Sequence, residues 1–128
     1  MKNPNLIIVI GYKKLFAYMP FSDGNSILIK RIEYACDGQT DTPLVNWCNE
    51  HNTYQALIGM IEAILDRYQP QIWGLACPGE MCEKITGYLP RQRLGNLLDC
   101  IGMDPEEINV ANVARIFTTA PVLQKEFA

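Results

Sequence analysis

Ile72-Trp73-Gly74-Leu75-Ala76-Cys77, followed by Pro78-Gly79-Glu80, is the stretch whose reading decides the fold. Six apolar residues without a break form a strand buried on both faces. A proline-glycine pair ends the run, and helix-like spacing lies on either side of it. In open α/β sheets, ligands gather where such a strand hands over to the next helix. Cys77, Pro78, Gly79 and Glu80 are therefore the first candidate site, an anion- or ligand-binding turn.

Upstream, Thr53 to Tyr68 carries the clearest periodicity. Leu57, Ile58, Ile61, Ile64, Leu65 and Tyr68 share one helical face, and Gln55, Glu62, Asp66 and Arg67 the other. Asn52 or Thr53 can cap this helix, and Gln69-Pro70 ends it. The N-terminus reads as a meander: a strand over Leu6–Ile10, a second over Leu15–Met19, the turn Ser22-Asp23-Gly24-Asn25, and a third over Ser26–Tyr34. The third alternates, with Ile27, Ile29 and Arg31 opposite Leu28, Lys30 and Ile32. Cys36 to Asn52 is irregular, with Trp47 pinning it to the core or opening the next helix and His51 read as a helix-start residue in preference to a general base.

Downstream, Glu80–Leu89 reads as a helix with Met81, Cys82, Ile85, Tyr88 and Leu89 inward. Arg91–Ile101 reads as another, with Leu94, Leu97, Leu98 and Ile101 inward and Gly102 after it. Asp104-Pro105-Glu106-Glu107 has the cap, first-turn proline and acidic pattern of a further helix start. Residues 118–128 have no firm pattern and are expected to form a flexible or docking tail. The expected architecture is a single α/β domain over 1–128. It has a mixed sheet, a three-stranded antiparallel meander plus parallel strand, and helices packed on it.

Composition bounds the function. The chain of 128 residues is 48% hydrophobic, 20% charged and carries a net charge of -3. That is globular, and it argues weakly against nucleic-acid binding through overall charge while leaving a local patch open. No apolar run approaches the roughly 20 residues that span a bilayer. The odd set Cys36, Cys48, Cys77, Cys82 and Cys100, with no signal peptide read before it, points to reduced thiols in the cytoplasm.

Two stretches carry a family likeness. Ile7-Ile8-Val9-Ile10-Gly11-Tyr12-Lys13-Lys14-Leu15-Phe16, and then Leu57–Tyr68 leading into Ile72-Trp73-Gly74-Leu75-Ala76-Cys77-Pro78, resemble the bacterial host-attachment protein family. That family is related to domain 2 of archaeo-eukaryotic peptide release factors. The likeness spans roughly residues 6 to 100 and implies an RNase H-like fold. The family usually has an Asp before the opening glycine, where this chain has Ile10.

Two-metal nuclease chemistry needs carboxylates on adjacent strands. Leu6–Ile10 offers none, and Glu62 and Asp66 read as a solvated helix face. Cys77 and Cys82, with His51, Cys36 or Cys48, lack zinc-ligand spacing. No metal or cofactor is expected. A thiol just before a helix start has reason to ionise easily, so a reactive Cys77 competes with Cys77 as plain core. Glu80 is expected to satisfy the helix end itself. Lys13, Lys14, Lys30 and Arg31, with Arg91 and Arg93 as a second pair, are candidate partner-binding residues if they are more than a solvated face.

The reading that follows is a non-enzymatic interaction or regulatory module. It binds a protein partner or a ribosome-related RNA–protein partner, with self-association within its scope and neither membrane nor DNA expected. The alternative is a small ligand-binding protein or enzyme using the Cys77–Glu80 turn.

Overall fold

Five aliphatic residues and a glycine make β1 (Leu6–Gly11), whose every residue is buried. Such a strand needs cover on both faces. The computed structural model describes residues 4–11, 13–21, 25–33 and 50–117, with α1 side chains described from residue 54. Trp47, Cys36, Cys48, Tyr34, the Ser22-Asp23-Gly24 part of the first turn and the 118–128 tail lie outside the described residues.

β1 pairs antiparallel with β2 (Lys14–Pro20), which pairs antiparallel with β3 (Ser26–Glu33). On its other side β1 runs parallel to β4 (Trp73–Cys77), and β4 parallel to β5 (Leu97–Gly102). The sheet order is β3-β2-β1-β4-β5. The mixed sheet and its meander are as the sequence predicts, and the run around Leu75 is the expected buried strand.

Helices α1 (Glu50–Tyr68) and α2 (Gly79–Tyr88) cover one face. Leu57, Ile61 and Leu65 of α1 and Met81 and Ile85 of α2 pack there with Leu6, Ile8, Ile10, Trp73, Leu75 and Cys77. Tyr54 stacks on Tyr88 with ring centroids 5.8 Å apart. Asn5 ties the starts of β1 and β4 together: its N–H donates to the Ile72 carbonyl, and its side-chain oxygen accepts from the Ile72 N–H. α1 begins three residues before the expected Thr53, which places Asn52 and Thr53 in its first turn.

The opposite face is covered by the chain after β5. A single 3-10 turn (Pro105–Glu107) and a helical turn over 113–117 pack Ile108, Val113 and Phe117 on Ile7, Val9, Tyr18 and Ala76. Asp104 caps the 3-10 turn through the Glu106 N–H, as the sequence suggests, but the turn ends at Glu107. Asn109 starts the next one: its side-chain oxygen accepts from the Ala111 and Asn112 N–H groups, while the Asn112 side chain accepts from the Asn109 N–H. This is a reciprocal cap. The Ser26 hydroxyl donates to the Val110 carbonyl at 2.7 Å and fastens this segment to β3.

Two expectations are corrected. The helix expected over Arg91–Ile101 is six residues of α3 (Arg91–Asn96) followed by strand β5. Leu97 to Ile101 suit helical spacing, but β4 would otherwise leave its ladder groups unpaired, and backbone pairing decides. In β3 the simple alternation fails. Ala17 pairs with Lys30 and Tyr18 with Leu28, so Ile29 is an extra, bulged residue. Ile29 and Ile32 therefore both pack toward the helix-covered core, while Ile27 and Leu28 are each 46% exposed.

Arg93, at the end of α3, is an internal strut. Its Nε donates to Glu62 at 3.1 Å, its Nη2 to Asp66, and its carbonyl accepts the Trp73 indole N–H. Arg93→Ala is expected to cost about 1 kcal/mol, mostly from the half-buried Glu62 pair, because an exposed partner such as Asp66 adds little. Chemical denaturation at low and high salt checks this: a loss that does not shrink with salt would assign it to packing instead.

Candidate functional site

The C-terminal ends of β1, β4 and β5 open into one cleft of about 1060 Å³. Gly11 closes β1, Pro78 and Gly79 follow β4, and Gly102 closes β5, so three strand ends meet there because the three run parallel. Phe16, Tyr18, Met103, Pro105 and Ile108 supply apolar walls. Lys13 and Lys14, from the β1–β2 hairpin, also line it. Lys13 takes a left-handed backbone, φ 65°, to turn the hairpin. Glu80, Asp104 and Glu106 line the same cleft, and a Cβ on Gly11 would stand 3.5 Å from Pro105, which lies between the last two.

Of the turn residues singled out from the sequence, Pro78, Gly79 and Glu80 line the cleft. Glu80 does not close the helix end: α2 has no side-chain cap, and the first backbone bond runs from the Met81 N–H to the Pro78 carbonyl at 2.9 Å. Cys77 is elsewhere. Its thiol is fully buried under α2, on the opposite face of the sheet from the Tyr18 wall.

The basic residues also part company. Lys13 and Lys14 reach the cleft, whereas Lys30 lines a separate hollow beside Gly59, Met60 and Arg67 of α1. Arg31 bonds Glu33 at 3.0 Å and lies over the Phe16 ring. Arg91 is exposed on α3, and Arg93 is bound to Glu62 and Asp66. The His51 side chain lies outside those described.

A second cluster lies under the cleft. Cys77 at the end of β4, Cys82 in the second turn of α2 and Cys100 in β5 bring their sulfurs together. Cys77 Sγ is 3.4 Å from Cys82 Sγ and 3.8 Å from Cys100 Sγ. All three lie within 4.8 Å of one another, and among the described residues this is the only group of three or more Cys, His, Asp or Glu side chains so gathered. Asp104, Glu80 and Glu106 share the cleft but not one point.

The cluster divides its protons unequally. Cys100 is held below the ordinary thiol value, first by its hydrogen bond with Cys77 and then by that with Cys82. Cys77 is pushed up by that same bond and by its burial. Cys82 is pushed up to about 11, mainly by burial. The thiolate is the nucleophile. Maleimide at pH 7, mapped by peptide mass, should therefore modify Cys100 ahead of Cys77 and Cys82. The reactive position expected from sequence, Cys77, should be the slowest of the three. Faster labelling of Cys77 would contradict this arrangement.

Cys100, Gly102, Met103 and the Phe16–Tyr18 wall are absent from the sequence-derived candidates. Cys100 and Gly102 were hidden by the helical reading of Arg91–Ile101. A strand reading of Leu97–Ile101 would have set Cys100 beside Leu75 and the closing glycine beside Cys77.

No family model matches the chain, and no curated protein matches it. Its fold is that of an α/β domain with a five-stranded mixed sheet. Among solved structures it is similar to one described only as "Archaeal protein", at a TM-score of 0.51 and 14% identity. The match covers 96% of this chain and 39% of that one, so this chain spans well under half of its neighbour's length.

Proposed function

We propose that the chain is a non-enzymatic, RNase H-like interaction module of the host-attachment and release-factor-like type, and that its cleft grips a segment of a protein partner. The observation that carries the reading is the cleft itself. Apolar Phe16, Tyr18, Met103 and Ile108 line it together with Lys13, Lys14 and the carboxylates of Glu80, Asp104 and Glu106. A peptide can present apolar side chains flanked by both signs of charge, whereas a phosphate backbone would meet Glu80, Asp104 and Glu106 unfavourably. The strand order β3-β2-β1-β4-β5, meander first and parallel strands after, supports the RNase H-like part. No described helix is long and apolar enough to cross a membrane.

Gly79→Trp tests it. A Cβ at Gly79 meets no atom within 4 Å, so the indole enters the cleft without disturbing the core. Peptides selected on the wild-type chain from a displayed library should bind Gly79→Trp at least about tenfold more weakly, a loss near 1.4 kcal/mol. Peptides indifferent to the substitution would overturn the reading. So would a nucleotide, phosphate or short RNA that raises the wild-type melting temperature by several degrees and fails to do so in Gly79→Trp. That outcome would support the ligand-binding alternative.

Self-association belongs to the same proposal. Phe21, Ile27 and Leu28, each 46% exposed, lie at the edge of the sheet where β2 gives way to edge strand β3, whose outer backbone groups are open to pairing with a second copy. Light scattering should give twice the chain mass, and Leu28→Lys should return it to one. A wild-type chain with the mass of one copy would remove this part.

A further inference from the structure

We propose that Cys77, Cys82 and Cys100 form a three-thiolate site for a soft monovalent metal ion, Cu(I). The site is separate from the cleft reading and does not depend on it.

Geometry comes first. Metal–thiolate bonds of about 2.3 Å set the sulfurs of a planar three-sulfur shell about 4 Å apart. Cys77 lies 3.4 and 3.8 Å, sulfur to sulfur, from Cys82 and Cys100, and the third separation is within 4.8 Å. The shell is nearly assembled, and a fraction of an ångström of side-chain movement admits an ion.

The sulfurs come from three elements, so the triangle is a product of packing rather than of local chain. Gly102 lets it close. A Cβ on Gly102 would stand 2.9 Å from Gly79 Cα and 3.6 Å from Cys82 Sγ. With no side chain at Gly102, the start of α2 settles onto the end of β5 and carries Cys82 over Cys77 and Cys100. Thiols do pack as small hydrophobes, and Cys77 alone reads that way. Packing does not, however, require sulfur to meet sulfur from three elements at once.

The donor set selects the metal. Three sulfurs, with no nitrogen or oxygen ligand among the described residues at the cluster, suit a soft ion. Zn(II) in protein sites almost always takes four ligands, whereas Cu(I) is satisfied by three thiolates. Cys77 is the buried floor, and the half-buried Cys82 and Cys100 leave a route for the ion. Each sulfur that bonds gives its proton to solvent, and copper stays Cu(I), so no electron is transferred. The anionic centre that results lies near the start of α2, whose positive end has no side-chain cap and carries Glu80 in its first turn.

The test uses the whole reduced chain under nitrogen, titrated with Cu(I) against the chelator bicinchoninate. The chain should take up a single Cu(I), with a sulfur-to-copper absorption band in the ultraviolet. Cys36→Ser/Cys48→Ser should keep that uptake. Cys82→Ser and Cys100→Ser, checked for folding by circular dichroism, should each weaken it by more than the about 10- to 100-fold that losing an outer-layer partner costs. Should a serine variant unfold, copper X-ray absorption on the wild-type chain decides, and three sulfur neighbours are expected. No uptake from the chelator, uptake unchanged in both variants, uptake of Zn(II) but not Cu(I), or a two-sulfur spectrum would each overturn the proposal.

Discussion

Gly74→Val should lower the melting temperature by roughly 4–12 °C, the equivalent of about 1–3 kcal/mol for overpacking a filled core. A Cβ at Gly74 would lie 2.6 Å from Cε1 and 2.7 Å from Cδ1 of Phe117. Phe117 is fully buried, so its ring has no free direction in which to retreat. The partner substitution makes the cause testable. Phe117→Ala alone should cost about 3–5 kcal/mol through its cavity. In the double variant, valine fills part of that cavity, so the combined loss should fall short of the sum by at least about 0.5 kcal/mol. Circular dichroism melts of the four proteins suffice. Strict additivity, or a neutral Gly74→Val, would mean that Phe117 does not cover β4 in solution.

The second large effect is expected at Gly102. In Gly102→Val the new Cβ meets backbone, Gly79 Cα at 2.9 Å, and backbone cannot rotate aside as a side chain does. The start of α2 must lift from β5. We expect a loss of about 1–3 kcal/mol and a changed maleimide rate at Cys100, which loses its Cys82 partner and cover from α2 while keeping Cys77 beside it on β4. Gly79→Trp is the control at the other side of the same contact. With open space at its Cβ, its stability should stay within about 0.5 kcal/mol of wild type. Equal stability losses in the two variants would dismiss the glycine contact as the reason, as would unchanged Cys100 labelling in Gly102→Val.

These positions show how far one sequence reaches. Gly74 is legible as a tight spot in a strand buried on both faces. What occupies the space is not: Phe117 lies 43 positions away, past a stretch whose pattern is broken by two short turns. The candidate turn at Pro78-Gly79-Glu80 is readable because a strand followed by a proline and a helix start is a local signal. The cleft around it is not, because Tyr18 and Ile108 come from strands and turns that meet only in the sheet.

Local chemistry by itself determined the apolar runs of β1 and β4, the amphipathic faces of α1 and α2, the meander and the Asp104 cap. Each of those depends on residues within a few positions of one another, where periodicity and turn preference act. Tertiary structure alone decided that Leu97–Gly102 is a strand, that Ile29 bulges, that Arg93 braces Glu62 and Asp66, and that three cysteines share one point. In each case an unpaired backbone edge, an unmatched charge or a close approach of two glycines is satisfied only by a distant partner, and the energy of that distant contact outweighs the local preference.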